Sequence, residues 1–256
     1  MYDLALLTLL ACFAFFAGLI DAAVGGGGLI QIPALFNSFP NAAPATLFGT
    51  NKIASISGTF SATLSYLKRV KLPWALVIPA MLAAFVCSFA GAAVVSYIPK
   101  SLMQPVVFVL LICIAIYTFI KKDFGALHLP SHVGFKEKCM AVACGGSIGF
   151  YDGVFGPGTG SFLIFLFIRF FAFDFLHASA ASKLVNFATN AAAILYFAPT
   201  GHVIWVVAWI MAVSNVVGAI TGSTIALRYG SGLIRVLFLI LLVLLIGRMG
   251  WNMLSS

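Results

Sequence analysis

Acidic side chains are scarce in this chain: six Asp and Glu stand among 256 residues, against fourteen Lys and Arg. Charge of either sign reaches only 8%, where a soluble domain carries about 25%. With 62% hydrophobic residues and a mean hydropathy of +1.13, a water-facing surface cannot be assembled. Long polar connections are missing too, since the longest, 121–138, is too short to fold by itself. No G-x-x-x-x-G-K-[ST] sequence occurs, which argues against ATP drive within the chain. No H-E-x-x-H occurs, and the histidines (His128, His132, His177, His202) are scattered, so neither a metal nor another cofactor is expected. The five cysteines (Cys12, Cys87, Cys113, Cys139, Cys144) lack C-x-x-C spacing, and their odd number argues against a disulfide framework. The first apolar run, from Leu4, lacks a basic flank and a small-residue cleavage site, so it reads as a span and not as a removable signal. The net charge of +8 could suggest nucleic acid, but the bases cluster between apolar runs, where orientation signals lie.

What remains is apolar from end to end. Runs at 4–24, 29–39, 45–67, 72–98 and 105–120 are followed by runs at 139–155, 161–172, 178–198, 203–227 and 233–251. The expectation is an all-α polytopic membrane protein: a first transmembrane repeat over 1–120, a cytoplasmic linker over 121–138, and a second repeat over 139–256.

The repeat is read from a constant offset. Shifted by 131, the halves align without a gap from Gly18 to Gly91: Asp21 falls on Asp152, Gly25 on Gly156, Gly27 on Gly158, Lys52 on Lys183, and Trp74 on Trp205. Glycines coincide easily in such a composition, whereas a rare Asp, Lys and Trp at one unbroken offset do not. Internal repeats of this kind are common in transporter folds.

Five spans per half would set the halves in opposite orientations. With the amino terminus outside, Lys68, Arg69, Lys71, Lys121, Lys122, Lys136, Lys138, Arg169, Arg228 and Arg235 face the cytoplasm, and only Lys100 and Arg248 face outward. That is ten against two, as the positive-inside rule requires. An eight-span reading, with each Gly-containing region as one broken helix, makes the repeats parallel and gives eight against four. The inverted repeat is preferred, each half holding a Gly-broken helix pair plus three transmembrane helices. The pieces after the glycines are shorter than the ~20 residues a crossing helix needs. Each Gly-broken pair is therefore also compatible with dipping in and returning to its own side.

The interruptions read GLIDAAVGGGGLIQIPAL from Gly18 and GFYDGVFGPGTGSFLIFL from Gly149. Broken helix inside a membrane is tolerated only within protein or beside a wet cavity. Helices are expected to restart at Leu29 and at Ser161, the latter with Thr159 or Ser161 as cap. Their exposed N–H groups would attract anions. The candidate substrate-binding set is therefore Gly25, Gly26, Gly27 and Gly28 with Asn51 and Lys52, and Gly156, Gly158, Thr159, Gly160 and Ser161 with Lys183, Asn186 and Asn190. On helix geometry Lys183, Asn186 and Asn190 share one face, as Asn51, Lys52 and Ser55 do. Ammonium supplies charge for an oxyanion, and amides and hydroxyls orient it. The competing readings are tight packing at the glycines, snorkelling lysines, and ion pairs joining Asp21 and Asp152 to the lysines. Either aspartate could alternatively carry a coupling proton.

These motifs resemble the sulfite exporter TauE/SafE family, also called the 4-toluene sulfonate uptake permease family. The residues that carry the resemblance are D-x-x-x-G-G-G-G from Asp21, FGTNK at 48–52, GFYDGVFGPGTGSFL from Gly149, and SKLVNFATN at 182–190. The resemblance spans essentially the whole chain. It implies two homologous halves and movement of sulfur-containing anions such as sulfite, sulfoacetate or other organosulfonates, outward if the family name holds. The expected protein is then a secondary transporter of the bacterial inner membrane working by alternating access. It would be proton-coupled through Asp21 or Asp152, with the anion and the bilayer as partners and a homodimer allowed by small-residue stretches such as Ala90 to Ala93. GGGG becomes GPGT in the second half, and Asn51 becomes Ser182, so the half-sites differ. A passive anion channel would share the same site. An intramembrane hydrolase is the rival from another class, because Gly145 to Gly149 reads GGSIG around Ser147, with His177 and His202 downstream. The first half has Phe16 at the position of that serine, and no enzyme is expected.

Overall fold

The computed structural model describes residues 3–120 and 134–229, together with 240, 243 and 247. Among the described residues every regular element is a helix: α1 (Leu4–Val24), α2 (Gly28–Ser38), α3 (Pro44–Leu67), α4 (Trp74–Val95), α5 (Lys100–Ile120), α6 (Phe135–Val154), α7 (Thr159–Phe171), α8 (Phe175–Phe197) and α9 (Trp205–Tyr229). The expected span at 233–251 lies outside the described residues. Four helices of the second half start at 135, 159, 175 and 205, against 4, 28, 44 and 74 in the first, a constant 131 residues later. The duplication is therefore structural.

The few acids explain several of these starts. Asp3 accepts from the Ala5 N–H at the head of α1, Asp174 from the His177 N–H at the head of α8, and Glu137 from the Gly134 N–H at the head of α6. Each satisfies a donor that a helix start leaves free. Because the Glu137 cap sets the start of α6 at Phe135, the second half begins within the segment read as linker. Among the described acids only Asp21 and Asp152 stand elsewhere, and both reach the same cavity.

The packing exchanges the halves. α1 lies along α9, and α6 lies along α4. α3 meets α9 as α8 meets α4, and α3 and α8 touch each other. Each contact maps onto its partner when the halves are swapped, which is the mark of a pseudo-two-fold arrangement. Glycine lets these helices approach to backbone distance. A Cβ at Gly149 would collide with the Ala84 carbonyl and one at Gly18 with the Asn215 carbonyl, two positions related by the same offset.

Outer faces are apolar in matching register. Trp74, Ile78, Leu82, Val86 and Phe89 of α4 are exposed, and so are Trp205, Trp209, Val213, Val217 and Ile220 of α9. Such stripes suit lipid, not water. α1, α4 and α9 are long and apolar enough to cross a membrane. Together with the composition this makes a multi-pass membrane protein. α3 and α8 are more polar, and their middles are buried, which places Lys52 and Lys183 inside protein and away from lipid.

A polar cavity where the two broken helix pairs meet

Between α1 and α2 the chain breaks at Gly25 and Gly26, whose φ values are +70° and +145°. Between α6 and α7 it breaks at Gly156 and Gly158, with φ of +85° and +78°. L side chains disfavour this region, so glycine is required there. The two breaks touch: a Cβ on Gly25 would run into the backbone of Gly160 and Ser161. Ser161 fastens the joint by donating its hydroxyl to the carbonyls of Val24 and Gly25 in the other half.

This corrects the capping expectation. α7 begins at Thr159, after Gly158, with no side chain capping it. Ser161 serves the opposite half, and the Thr159 hydroxyl donates to Asp152 Oδ1 at 2.6 Å. In the first half the helix begins at Gly28, one residue ahead of the expected Leu29.

Beside the joint is a partly open cavity with about 280 Å³ of space between its walls, open solvent included. It is lined from the first half by Asp21, Gly26, Gly28, Asn51, Lys52 and Ser55, and from the second by Asp152, Gly156, Gly158, Thr159, Gly160, Asn186 and Asn190. Most of the residues expected from sequence are thus brought together. Four are not on the wall. Gly25 and Ser161 form the joint, Gly27 donates its N–H to Asp21, and Lys183 stands apart.

The four charges are disposed unequally although they match in sequence. Lys52 Nζ is 2.6 Å from Asp152 Oδ2, and both side chains are 2% exposed, so this ion pair joins the halves. Asp21 has no such partner among the described residues. Its Oδ1 accepts the N–H groups of Gly26 and Gly27 at 3.0 and 3.1 Å. The donors that were expected to greet an anion are thus held by the protein's own carboxylate. Lys183 donates to the backbone carbonyl of Asp21 at 3.3 Å and lies 4.6 Å from the ring centre of Tyr66. A buried ammonium over an aromatic face gains a cation–π contact. The ion-pair reading therefore holds for one aspartate only.

Amides complete the wall. Asn190 Nδ2 donates to Asn186 Oδ1 at 3.3 Å, while Asn51 Oδ1, buried, has no hydrogen-bond partner. An unpaired buried polar atom is costly, and Asn51 shares the cavity wall with Lys52, Asn186 and Asn190. Sequence reasoning missed Tyr66, whose hydroxyl donates to Ala22 O at 2.8 Å, and Tyr151, whose hydroxyl donates to Pro157 O at 2.6 Å. Tyr66 carries little signal, being one aromatic among many. Tyr151 precedes Asp152 and could have been noticed for that. Ser147, in the G-x-S-x-G match, is exposed on α6 and donates to Cys144 O. His177 Nδ1 lies 2.8 Å from Asp174 Oδ1, and His202 Nδ1 lies 3.2 Å from Thr46 Oγ1.

Known proteins resemble this chain over nearly its whole length. A family model described as sulfite exporter TauE/SafE matches residues 10–249. A probable membrane transporter protein from Sinorhizobium sp, ORF9, is 36% identical over 96% of this chain and 93% of its own length. The probable membrane transporter protein YfcA of Escherichia coli K12 is 35% identical over 92% of this chain and 86% of its own length. A probable membrane transporter protein of Haemophilus influenzae is 30% identical over 96% of each. No solved structure matches. A duplicated helical membrane protein whose two broken helix pairs meet beside one cavity, this chain belongs to the sulfite exporter TauE/SafE family.

Proposed function

We propose that the protein is a secondary transporter carrying a small sulfur-containing anion, an organosulfonate such as sulfoacetate or sulfite itself, across the bacterial inner membrane by alternating access. The observation that carries this reading is the cavity at the joint of the two broken helix pairs, where Lys52 stands among Asn51, Asn186 and Asn190. One ammonium for charge and three amides for direction suit an oxyanion with several acceptor oxygens. The ten-against-two charge count supports halves inverted about an axis in the membrane plane, and in such transporters the site lies at the repeat interface. Rocking one half against the other would open the cavity to each side in turn, driven by the gradients of anion and proton. Export, the direction in the family's name, follows when the anion is in excess inside. The Lys52–Asp152 pair ties the halves across the cavity, which favours a carrier over a standing pore. A catalytic role for Ser147 has no support from its surroundings, since its hydroxyl is turned to its own helix.

Flux of labelled sulfoacetate and sulfite into proteoliposomes tests the reading. Saturable flux that is lost in Lys52→Ala and absent from empty vesicles is expected. If neither anion moves, the reading is wrong.

A further inference from the structure

We propose that Asp152, and not Asp21, carries a proton through the transport cycle, and that Asp152 and the substrate alternate as counter-ion of Lys52, so that one proton travels with each anion. This rests on the transporter reading above.

The unequal treatment of the two aspartates is the starting point. Asp21 is held by the N–H groups of Gly26 and Gly27, and among the described residues no ammonium lies within ion-pair distance of its carboxylate. Its carboxylate staples a loop. Asp152 has one oxygen on the Thr159 hydroxyl and the other on Lys52 Nζ, each at 2.6 Å. The ammonium that should greet an anion is therefore already neutralised by Asp152.

A second anion cannot join this pair without leaving one negative charge buried and unmatched, which a low-dielectric site resists. Protonation of Asp152 frees Lys52 for one negative charge of the substrate, and the second charge of a dianion such as sulfoacetate falls to the amides of Asn51, Asn186 and Asn190. A proton from water on the entry side bonds to Oδ2, and the N–H···O contact to Lys52 opens. Lys52 keeps all its protons and turns to the anion, while Thr159 goes on donating to Oδ1. On the far side the anion leaves, the proton returns to water, and the ion pair closes again.

The neighbours leave few other carriers. From α3 Asp152 faces Lys52, and Asp21 of α1 shares the cavity wall. α8 contributes Lys183, held by the Asp21 carbonyl and the Tyr66 ring, and His177 at its far start, held by Asp174. α4 has only Cys87 as a titratable group, and α7 only Arg169 in its last turn. On α6 the Tyr151 hydroxyl is committed to Pro157 O. Proton and anion move in the same direction in this scheme, so an inward proton gradient drives uptake. Export runs against that gradient and needs an internal excess of anion.

The test uses proteoliposomes of the full chain, with voltage held at zero by potassium and valinomycin, and labelled sulfoacetate at a pH where both its acids stay ionised. One proton per anion gives about tenfold accumulation for each unit of pH difference, acid on the source side. A trapped pH dye should acidify as label enters. Asp152→Asn should equilibrate label without accumulating it and without a dye signal, whereas Asp21→Asn, which alters the cavity wall and is expected to slow flux, should reach the same accumulation ratio as the wild type. Wild-type flux that levels at equal concentrations whatever the pH difference overturns the proposal and leaves the transporter reading standing. Accumulation by Asp152→Asn, or flux without accumulation in Asp21→Asn, also overturns it. If Asp152→Asn does not assemble, the wild-type ratio and the Asp21→Asn arm decide. Immobile sulfoacetate in wild-type vesicles removes the organosulfonate reading and this proposal with it.

Discussion

Lys52 of the first half and Asp152 of the second are linked at 2.6 Å inside the protein, while their sequence counterparts Lys183 and Asp21 meet only through a backbone carbonyl. A duplicated chain has thus divided one motif into two jobs. One copy makes a charge pair across the cavity, and the other fixes a loop.

Removing one member of the pair should hurt more than removing both. Lys52→Met leaves Asp152 buried without its cation, at a cost of about 3–5 kcal/mol. Adding Asp152→Asn should recover most of that loss. Thermal unfolding in detergent measures both, and equal midpoints for the single and double variants would show that the pair is not coupled.

Thr159→Val keeps the shape of the side chain and removes the hydroxyl that Asp152 Oδ1 accepts. An unsatisfied buried acceptor costs about 1–3 kcal/mol, and Thr159→Ser should restore most of it. A Val variant as stable as the wild type would mean that Asp152 finds another donor.

Two glycines separate backbone strain from collision. Gly201 has φ +79° with open space where a Cβ would go, so Gly201→Ala should cost about 1–2 kcal/mol. Gly25, at φ +70°, would drive its Cβ into the backbone of Gly160 and Ser161. Gly25→Ala should therefore be far more damaging, seen as loss of monodisperse protein on size exclusion. Equal behaviour of the two variants would mean that the halves do not meet at Gly25.

Orientation can be read chemically. None of the five cysteines is in a disulfide, so a cysteine-free background is reasonable. Lys71→Cys and Arg169→Cys in that background should both react with an impermeant maleimide only from the cytoplasmic side. Labelling of Arg169→Cys from outside would restore the parallel, eight-span arrangement.

Much of this is legible in the sequence. Rare residues betrayed the offset of 131, and all four comparable helix starts keep it. Helical period, which is local information, puts Asn51, Lys52 and Ser55 on one face of α3 and Lys183, Asn186 and Asn190 on one face of α8; all of these line the cavity except Lys183. Partner choice was not legible. Spacing treats Asp21 and Asp152 alike, and nothing along the chain says that Ser161 reaches Val24 or that Thr159 turns back to Asp152. Those contacts depend on which loop of one half falls beside which loop of the other. The second half also has Phe197 where the first has Tyr66, so the aromatic hydroxyl near Lys183 has no twin to draw attention to it.

The meeting of Gly25 with Gly160 has a mechanical meaning. Interlocked side chains resist sliding because every knob must leave its socket and choose a new rotamer. Where main chain rests on main chain no knob has to leave a socket, so in the carrier proposed above the Ser161 hydrogen bonds are what one half would have to break at this joint to move past the other.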